Sequence, residues 1–174
     1  MNNQGLKIRN AKLEEFENVG KLMIKVYSQL EGFPKESEQP EYYKMLLNVG
    51  DLTENKNTEL LVAISNRNKV VGAVLYFSDL KNYGSGGTIT KIKNASGFRL
   101  LAVDPKERGK GIGKLLSKEC INRAIKLNQN QLYIHSTESM KIAWGMYERL
   151  GFLRYSEIDF IQGELPVFGF KLSI

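Results

Sequence analysis

The stretch Leu101-Ala-Val-Asp-Pro-Lys-Glu-Arg-Gly-Lys-Gly-Ile-Gly113 tells most about the fold of this chain. It ends an apolar strand, turns at Asp104-Pro105, and places glycines where a helix with apolar positions from Ile112 to Leu127 begins. Glycine lets the backbone approach a ligand closely, and the first amides of a helix have no partners within the helix. Together with the helix dipole, such amides favour an anion such as phosphate.

Two well-known phosphate loops do not fit this turn. The P-loop requires Ser or Thr after its Gly-Lys pair, and Leu115 stands there. The dinucleotide fingerprint requires a third glycine, but the two possible spacings end on Lys114 and Leu116. The pattern present is Arg-x-x-Gly-x-Gly over residues 108–113.

The rest of the chain predicts strands and helices in alternation. Strand–helix–strand units imply a partly parallel sheet, and flanking hairpins make the sheet mixed. We therefore expect an α/β fold in one domain, residues 1–174, with its core starting near residue 6. The predicted elements are a strand at 7–10, a helix over 13–30, an irregular stretch 31–58 with a short helix near 42–48, a hairpin of 59–65 with 69–77, a flexible connection or weak edge strand at 81–97, a strand at 98–103, a helix over 111–127, a strand at 131–136, a helix over 140–150 capped by Gly151, and strands near 152–160 and 167–172.

The turn, with its preceding Val-Asp-Pro, resembles the pyrophosphate loop of the GCN5-related N-acetyltransferases (GNAT family). Downstream, Tyr147-Glu-Arg-Leu-Gly151-Phe152 looks like the Tyr-x-x-x-Gly-Phe signature of that family, and Ala143 lies four residues before the tyrosine. One departure is Met140, where the family often has asparagine. The similarity covers nearly the whole chain, and it implies a central, strongly twisted mixed sheet of about seven strands with helices on both faces.

The resemblance also implies an activity: direct transfer of an acetyl group from acetyl-CoA to a primary amine, without a metal. Backbone groups of Leu101, Ala102 and Val103 would hold the pantetheine arm and polarise the thioester carbonyl. Tyr147 would protonate the departing thiolate. The general base stays open among Glu31, water held on the Arg99 backbone, His135 and Glu157. An alternative is an acyl-CoA-binding sensor of the same fold without turnover. The residues expected at the pyrophosphate are Arg108, Gly109, Lys110, Gly111, Ile112, Gly113 and Lys114.

The distribution of charge agrees with an anionic ligand at the turn. The chain has 25 Lys and Arg against 19 Asp and Glu, and most of its net charge of +6 comes from residues 105–126. Such a rim attracts phosphates, although a solvated helix face gives the same pattern. The excess is too mild to indicate a nucleic-acid partner. Residues 31–59 are acidic instead; they either attract a cationic small-molecule or peptide amine or are simply a solvated loop.

Single residues exclude further classes. One cysteine, Cys120, rules out a disulfide framework and a cysteine-rich zinc site, and its place on an apolar stripe predicts a core residue. His135, the only histidine, is expected to be packed or exposed rather than to act as a base, and Trp144 to pack or line a pocket. No signal peptide or stretch of about 18 apolar residues is visible, so we expect a cytoplasmic protein without a membrane partner. A monomer and a homodimer are both open.

Overall fold

The computed structural model describes residues 5–174, which form a mixed eight-stranded sheet. Its order is β1-β2-β3-β4-β5-β8-β6, and β7 pairs with β8. The β4–β5 pair is parallel and the other pairs are antiparallel, so the predicted mixed sheet is confirmed with one strand more than about seven. The strands are β1 Lys7–Asn10, β2 Thr58–Ile64, β3 Val70–Phe77, β4 Ser96–Val103, β5 Gln131–Ser136, β6 Leu153–Arg154, β7 Phe160–Gln162 and β8 Leu165–Ser173.

Helices cover both faces of the sheet, as expected. They are α1 Phe16–Tyr27, α2 Pro40–Leu47, α3 Ile112–Lys126 and α4 Lys141–Arg149. The buried side chains form two clusters, one with α1 and α2 and one with α3 and α4; we call these the α1/α2 face and the α3/α4 face. In the described part of the chain, no helix is long and apolar enough to cross a membrane.

Two predicted elements differ in extent from the structure. The helix predicted over 13–30 is shorter, because Leu13 lies in a preceding 3₁₀ turn with 80% of its surface exposed. The short helix predicted near 42–48 is α2, which begins at Pro40, a residue suited to the first helical turn because it has no amide hydrogen.

Two other segments need correction. Residues 81–97 form a connection, which is one of the two predicted alternatives, and not an edge strand: Tyr83 and Ile89 are buried in it, and only its last residues begin β4. The strand predicted near 152–160 is interrupted after β6 by a 3₁₀ turn, Ser156–Ile158. That turn buries Ile158 directly over Gly169 of β8, where an added Cβ would come within 2.2 Å of it.

The parallel strands β4 and β5 separate soon after they meet. Only Ser96 and Gly97 of β4 pair with β5, so the remainder of the two strands leaves a gap, which we call the cleft. Further along β4, one extra residue interrupts the pairing with β3, and Leu100 has a φ of 57°. A bulge of this kind bends a strand, and left-handed backbone is uncommon for leucine. The bulge therefore lies at the edge of the cleft.

Candidate active site

The turn between β4 and α3 is fixed at its start by Asp104. The Asp104 carboxylate accepts a hydrogen bond from the Lys106 amide (3.1 Å) and pairs with the Lys25 ammonium of α1 (2.9 Å). The Lys25 bond lowers the pKa of Asp104, so the carboxylate is charged at neutral pH. Residues 104–114, which we call the glycine turn, are in this way tied to the helix on the opposite face.

The glycines of this turn are required by backbone conformation. Gly109 and Gly111 have φ values of 79° and 76°, and a Cβ at either would meet nothing within 4 Å. The space above the turn is therefore open. The first amide bonded inside α3 is that of Leu115, which donates to the Gly111 carbonyl at 3.0 Å. Within residues 5–174 the amides of Gly109 through Lys114 have no acceptor, as an anion-binding helix start requires.

The start of α3 is held against the end of β4. Ile112 is buried on β3, where a Cβ at Gly72 would come within 2.7 Å of it. A Cβ at Gly113 would lie 3.7 Å from the side chains of both Leu101 and Val103. The predicted residues of the strand and of the turn are thus adjacent in space.

The pairing of β4 with β3 decides which of its amides face the cleft. The Asp104 amide donates to the Val71 carbonyl of β3 at 2.9 Å. Since amides alternate along a strand, the amide of Ala102 also points to β3, while those of Leu101 and Val103 point away from it. Of the three residues predicted on this strand, two therefore present amides to the cleft, and Ala102 does not.

Two tyrosine hydroxyls bond the β4 carbonyls that β5 does not reach. Tyr83 donates to the Phe98 carbonyl at 3.1 Å, and Tyr27 donates to the Leu101 carbonyl at 3.5 Å. Both tyrosines come from the α1/α2 face. Neither tyrosine belongs to a sequence motif, so neither was predicted to lie at the site. Their effect is that the exposed edge of β4 offers free amides but few free carbonyls.

Tyr147 approaches the cleft from the α3/α4 face. Its ring packs edge-on against Phe98 and Phe152, with centroids 5.8 Å apart in each pair, and only 5% of the residue is exposed. Burial raises the pKa of Tyr147 well above its usual value, with a smaller contribution from the Tyr83 hydroxyl, so the phenol is protonated at neutral pH.

The end of α4 positions this tyrosine. Gly151 has a φ of 98° and donates to the Glu148 carbonyl, while the Phe152 amide donates to the Tyr147 carbonyl, both at 3.0 Å. These two bonds form the Schellman motif. The predicted glycine cap is confirmed. Met140, at the start of α4, packs against the α1/α2 core.

Arg99 is the charged group that sequence analysis missed in this region. Its Nη1 donates to the carbonyls of Tyr83 (2.9 Å) and Gly84 (2.6 Å), and its guanidinium carbon lies 5.7 Å from the Tyr83 ring centroid. Burial raises the pKa of Tyr42, and the charge of Arg99 and a hydrogen bond from it oppose that shift. The sequence does contain a signal for this residue, since Arg99 is the single charged residue in the apolar strand predicted at 98–103.

The end of β5 carries three buried polar atoms without partners in the described residues: His135 Nδ1, Ser136 Oγ and Thr137 Oγ1. His135 Nε2 lies 2.7 Å from the Ile158 carbonyl, which can only accept, so Nε2 holds the proton. Burial lowers the pKa of His135 to about 4, which keeps the ring neutral. Buried hydroxyls are normally bonded, so the unpaired hydroxyls of Ser136 and Thr137 are exceptions among the described residues.

Other singled-out residues lie away from this chemistry. Cys120 is fully buried in the α3/α4 core, and burial raises the pKa of its thiol well above the usual value, as expected of a packed residue. Trp144 packs on Phe170 of β8 with centroids 4.8 Å apart. Among residues 5–174, no three His, Cys, Asp or Glu side chains form a metal-binding group.

The acidic segment 31–59 does not form one surface. Glu59 bonds Arg123 of α3 at 2.8 Å on the α3/α4 face. The others are exposed, and Glu38 lies on a cavity of about 600 Å³ between the loop after α1 and the β7–β8 hairpin. Gln162 donates to Gln39 at 2.7 Å across one side of that cavity.

Comparisons with known proteins agree with this geometry. The profile of the Acetyltransferase (GNAT) family matches residues 23–152. A GNAT-family acetyltransferase from Staphylococcus aureus Mu50 superposes with a TM-score of 0.73 at 18% identity, covering 97% of this chain and 98% of that one. The PaiA N-acetyltransferase of Thermoplasma acidophilum, solved with coenzyme A, gives 0.71 at 17% identity, covering 95% and 98%.

A third structure is the spermidine N-acetyltransferase of Vibrio cholerae in complex with CoA and spermine, with a TM-score of 0.66 at 18% identity, covering 98% of this chain and 96% of that one. No curated protein matches the sequence significantly. Since the family profile spans most of the chain and includes both the glycine turn and Tyr147, the chain belongs to the GNAT family of acetyltransferases.

Proposed function

We propose that this protein is an N-acetyltransferase that moves the acetyl group of acetyl-CoA to a primary amine by direct attack. The observation that carries the proposal is the juxtaposition of two sets of free amides. Those of Gly109 through Lys114 open the helix, and those of Leu101 and Val103 line the cleft beside it. The first set suits a pyrophosphate and the second suits a pantetheine arm ending in a thioester.

The neighbouring groups supply the remaining chemistry. The amine nitrogen attacks the thioester carbonyl carbon, the carbon–sulfur bond breaks, and the sulfur leaves as a thiolate. Tyr147 is protonated and buried beside the cleft, so it is the group proposed to give that thiolate its proton. The amine attacks in its neutral form, and its surplus proton passes to bulk solvent as the carbon–sulfur bond breaks. His135 is not given this role, because its Nε2 bonds the Ile158 carbonyl and its Nδ1 is buried.

The acceptor proposed here is a small-molecule or peptide amine. Among the structural neighbours, the Vibrio cholerae enzyme acts on spermidine, which shows that this fold accommodates small amines. The cavity of about 600 Å³ on the α1/α2 face is large enough for a molecule of that size.

Free-thiol release from acetyl-CoA across a panel of amines tests the proposal. An enzyme releases CoA in proportion to the acceptor, and mass spectrometry detects the N-acetylated product. A sensor of the same fold binds acetyl-CoA in calorimetry but releases no thiol with any amine. That second result, at saturating acetyl-CoA, would contradict the proposed activity while leaving coenzyme binding intact.

A further inference from the structure

We propose that the acceptor carries a carboxylate on the same molecule as its amine, and that Arg99 binds this carboxylate. The inference rests on the proposed function, since it names the chemical class of the acceptor. An amino acid is the simplest molecule of this class. Arg99 thereby becomes a specificity-determining residue on the side of the cleft opposite the glycine turn.

The position of Arg99 supports this role. It lies on β4 two residues before Leu101, whose amide faces the cleft, and its side chain extends on the α1/α2 face. The glycine turn lies across the sheet, where its residue Ile112 is buried in the core of the α3/α4 face. A molecule entering from the α1/α2 face would therefore meet the Arg99 guanidinium close to the thioester.

The guanidinium is held in place by the protein but has no anionic partner. Nη1 bonds two backbone carbonyls in the turn at Tyr83 and Gly84, which fixes the plane of the group, and the Tyr42 hydroxyl is a further hydrogen-bonding neighbour. Within residues 5–174, no carboxylate forms an ion pair with Arg99 within 4 Å. A partly buried cation is costly unless an anion pairs with it, and a planar carboxylate fits the planar donor fork of arginine.

The surroundings do not supply that anion from the protein. Tyr27, Phe33 and Tyr42 pack as an aromatic group beside Arg99, with centroids 5.5–6.3 Å apart. Asp159 is a carboxylate that affects the pKa of His135, as Arg99 does. It is already bonded by both Nη atoms of Arg154 and by the Gly169 amide. A polycation such as spermidine would be repelled at this position, whereas an amino acid would be attracted.

The test uses matched pairs that differ only in the carboxylate. The probes are N-acetylphenylalanine against N-acetylphenethylamine, and N-acetylalanine against N-ethylacetamide, titrated by calorimetry into the full chain with and without CoA. These are stable products, so their binding does not depend on turnover. We expect the carboxylate member of each pair to bind about 10- to 100-fold more tightly, the range for hydrogen bonds to charged groups.

Three variants identify the residue responsible. Arg99→Gln should abolish the preference, and Arg99→Lys, which retains the charge without the fork, should retain part of it. Arg67→Gln, the same change in an exposed turn between β2 and β3, should leave it unchanged. Thermal unfolding of each variant shows whether the Tyr83–Gly84 turn is still in place.

Three outcomes would overturn the proposal. They are equal affinity within each pair, undetectable binding of the carboxylate members, and a preference that survives in a folded Arg99→Gln protein. Should Arg99→Gln not fold, an Arg99→Lys protein with the full preference overturns it as well. If the preference holds while no amine is acetylated, the proposed enzymatic function fails and the role of Arg99 stands.

Discussion

The two sides of the cleft present different kinds of hydrogen-bonding group. On the α3/α4 face, the glycine turn offers backbone amides from six consecutive residues, 109–114, and its cations are exposed. On the α1/α2 face, Arg99 and the hydroxyls of Tyr27 and Tyr83 come from three distant parts of the chain. Backbone recognition therefore depends on local conformation, and side-chain recognition depends on the assembled fold. We expect substitutions on the two sides to have separable effects.

The largest effect is expected for Gly111→Val. The φ of 76° is strained for a β-branched residue by about 1–3 kcal/mol, and the new side chain fills the open space above the turn. Affinity for acetyl-CoA, measured by calorimetry, should fall about 100-fold, which corresponds to about 2.7 kcal/mol.

Gly163→Val is the matched control, because its φ is 62° in the β7–β8 turn, away from the glycine turn. It should lose stability without losing coenzyme affinity. If a folded Gly111→Val protein binds acetyl-CoA as well as the unmodified protein does, the coenzyme does not lie at this turn.

Tyr147→Phe should lower kcat by roughly 10- to 100-fold and leave acetyl-CoA affinity nearly unchanged. The ring packing against Phe98 and Phe152 survives, and only the proton donor is lost; because a thiolate leaves readily, the low end of general acid catalysis applies. Tyr133→Phe removes a buried hydroxyl that bonds Gln131 instead, and it serves as the control in the same thiol-release assay. If kcat of the Tyr147→Phe protein is unchanged under conditions where the chemical step limits the rate, Tyr147 has only a packing role.

Acid should weaken the α1/α2 face before it weakens the glycine turn. The folded pKa of His135, about 4, lies below its ordinary value of 6.5, so the unfolded chain takes up the proton first and stability falls as pH drops from about 6.5 towards 4. Between pH 7 and 5 we expect a loss of about 1–2 kcal/mol in urea unfolding from this residue.

His135→Gln, which retains a donor for the Ile158 carbonyl, should flatten that dependence. Asp104, whose pKa is lowered, contributes stability that is lost only as pH falls below about 4, so Asp104→Asn should leave the slope between pH 7 and 5 unaltered. If the stability of the His135→Gln protein falls with pH as steeply as that of the unmodified protein, His135 is not the source of the pH dependence.

The smallest effect is expected for Lys114→Gln. Lys114 is an exposed cation in the first turn of α3, and its removal should weaken acetyl-CoA binding about two- to fivefold at low salt. The difference between variant and unmodified protein should vanish at high salt, because surface charges are screened. Lys126→Gln removes the same charge at the far end of the helix and should change little. Equal effects of the two variants would mean that net charge, rather than position, attracts the coenzyme.

Sequence patterns predicted elements well where neighbours along the chain decide the structure. The hairpin of β2 and β3, strand β5 and the Gly151 cap were predicted within one or two residues, because turn residues and periodic apolar side chains specify them. The strand predicted at 152–160 was wrong, because burial of Ile158 over Gly169 depends on a strand that lies later in the chain.

The sequence by itself determined the family, the order of elements and the position of the glycine turn, since each follows from spacing within a short segment. Only the tertiary structure decided which amides of β4 face the cleft, because that depends on the register with β3. It also decided that the Tyr27 and Tyr83 hydroxyls bond carbonyls of β4, and that no carboxylate in residues 5–174 pairs with Arg99. These features require residues 15 to 74 positions apart to meet, and no local pattern encodes such a meeting.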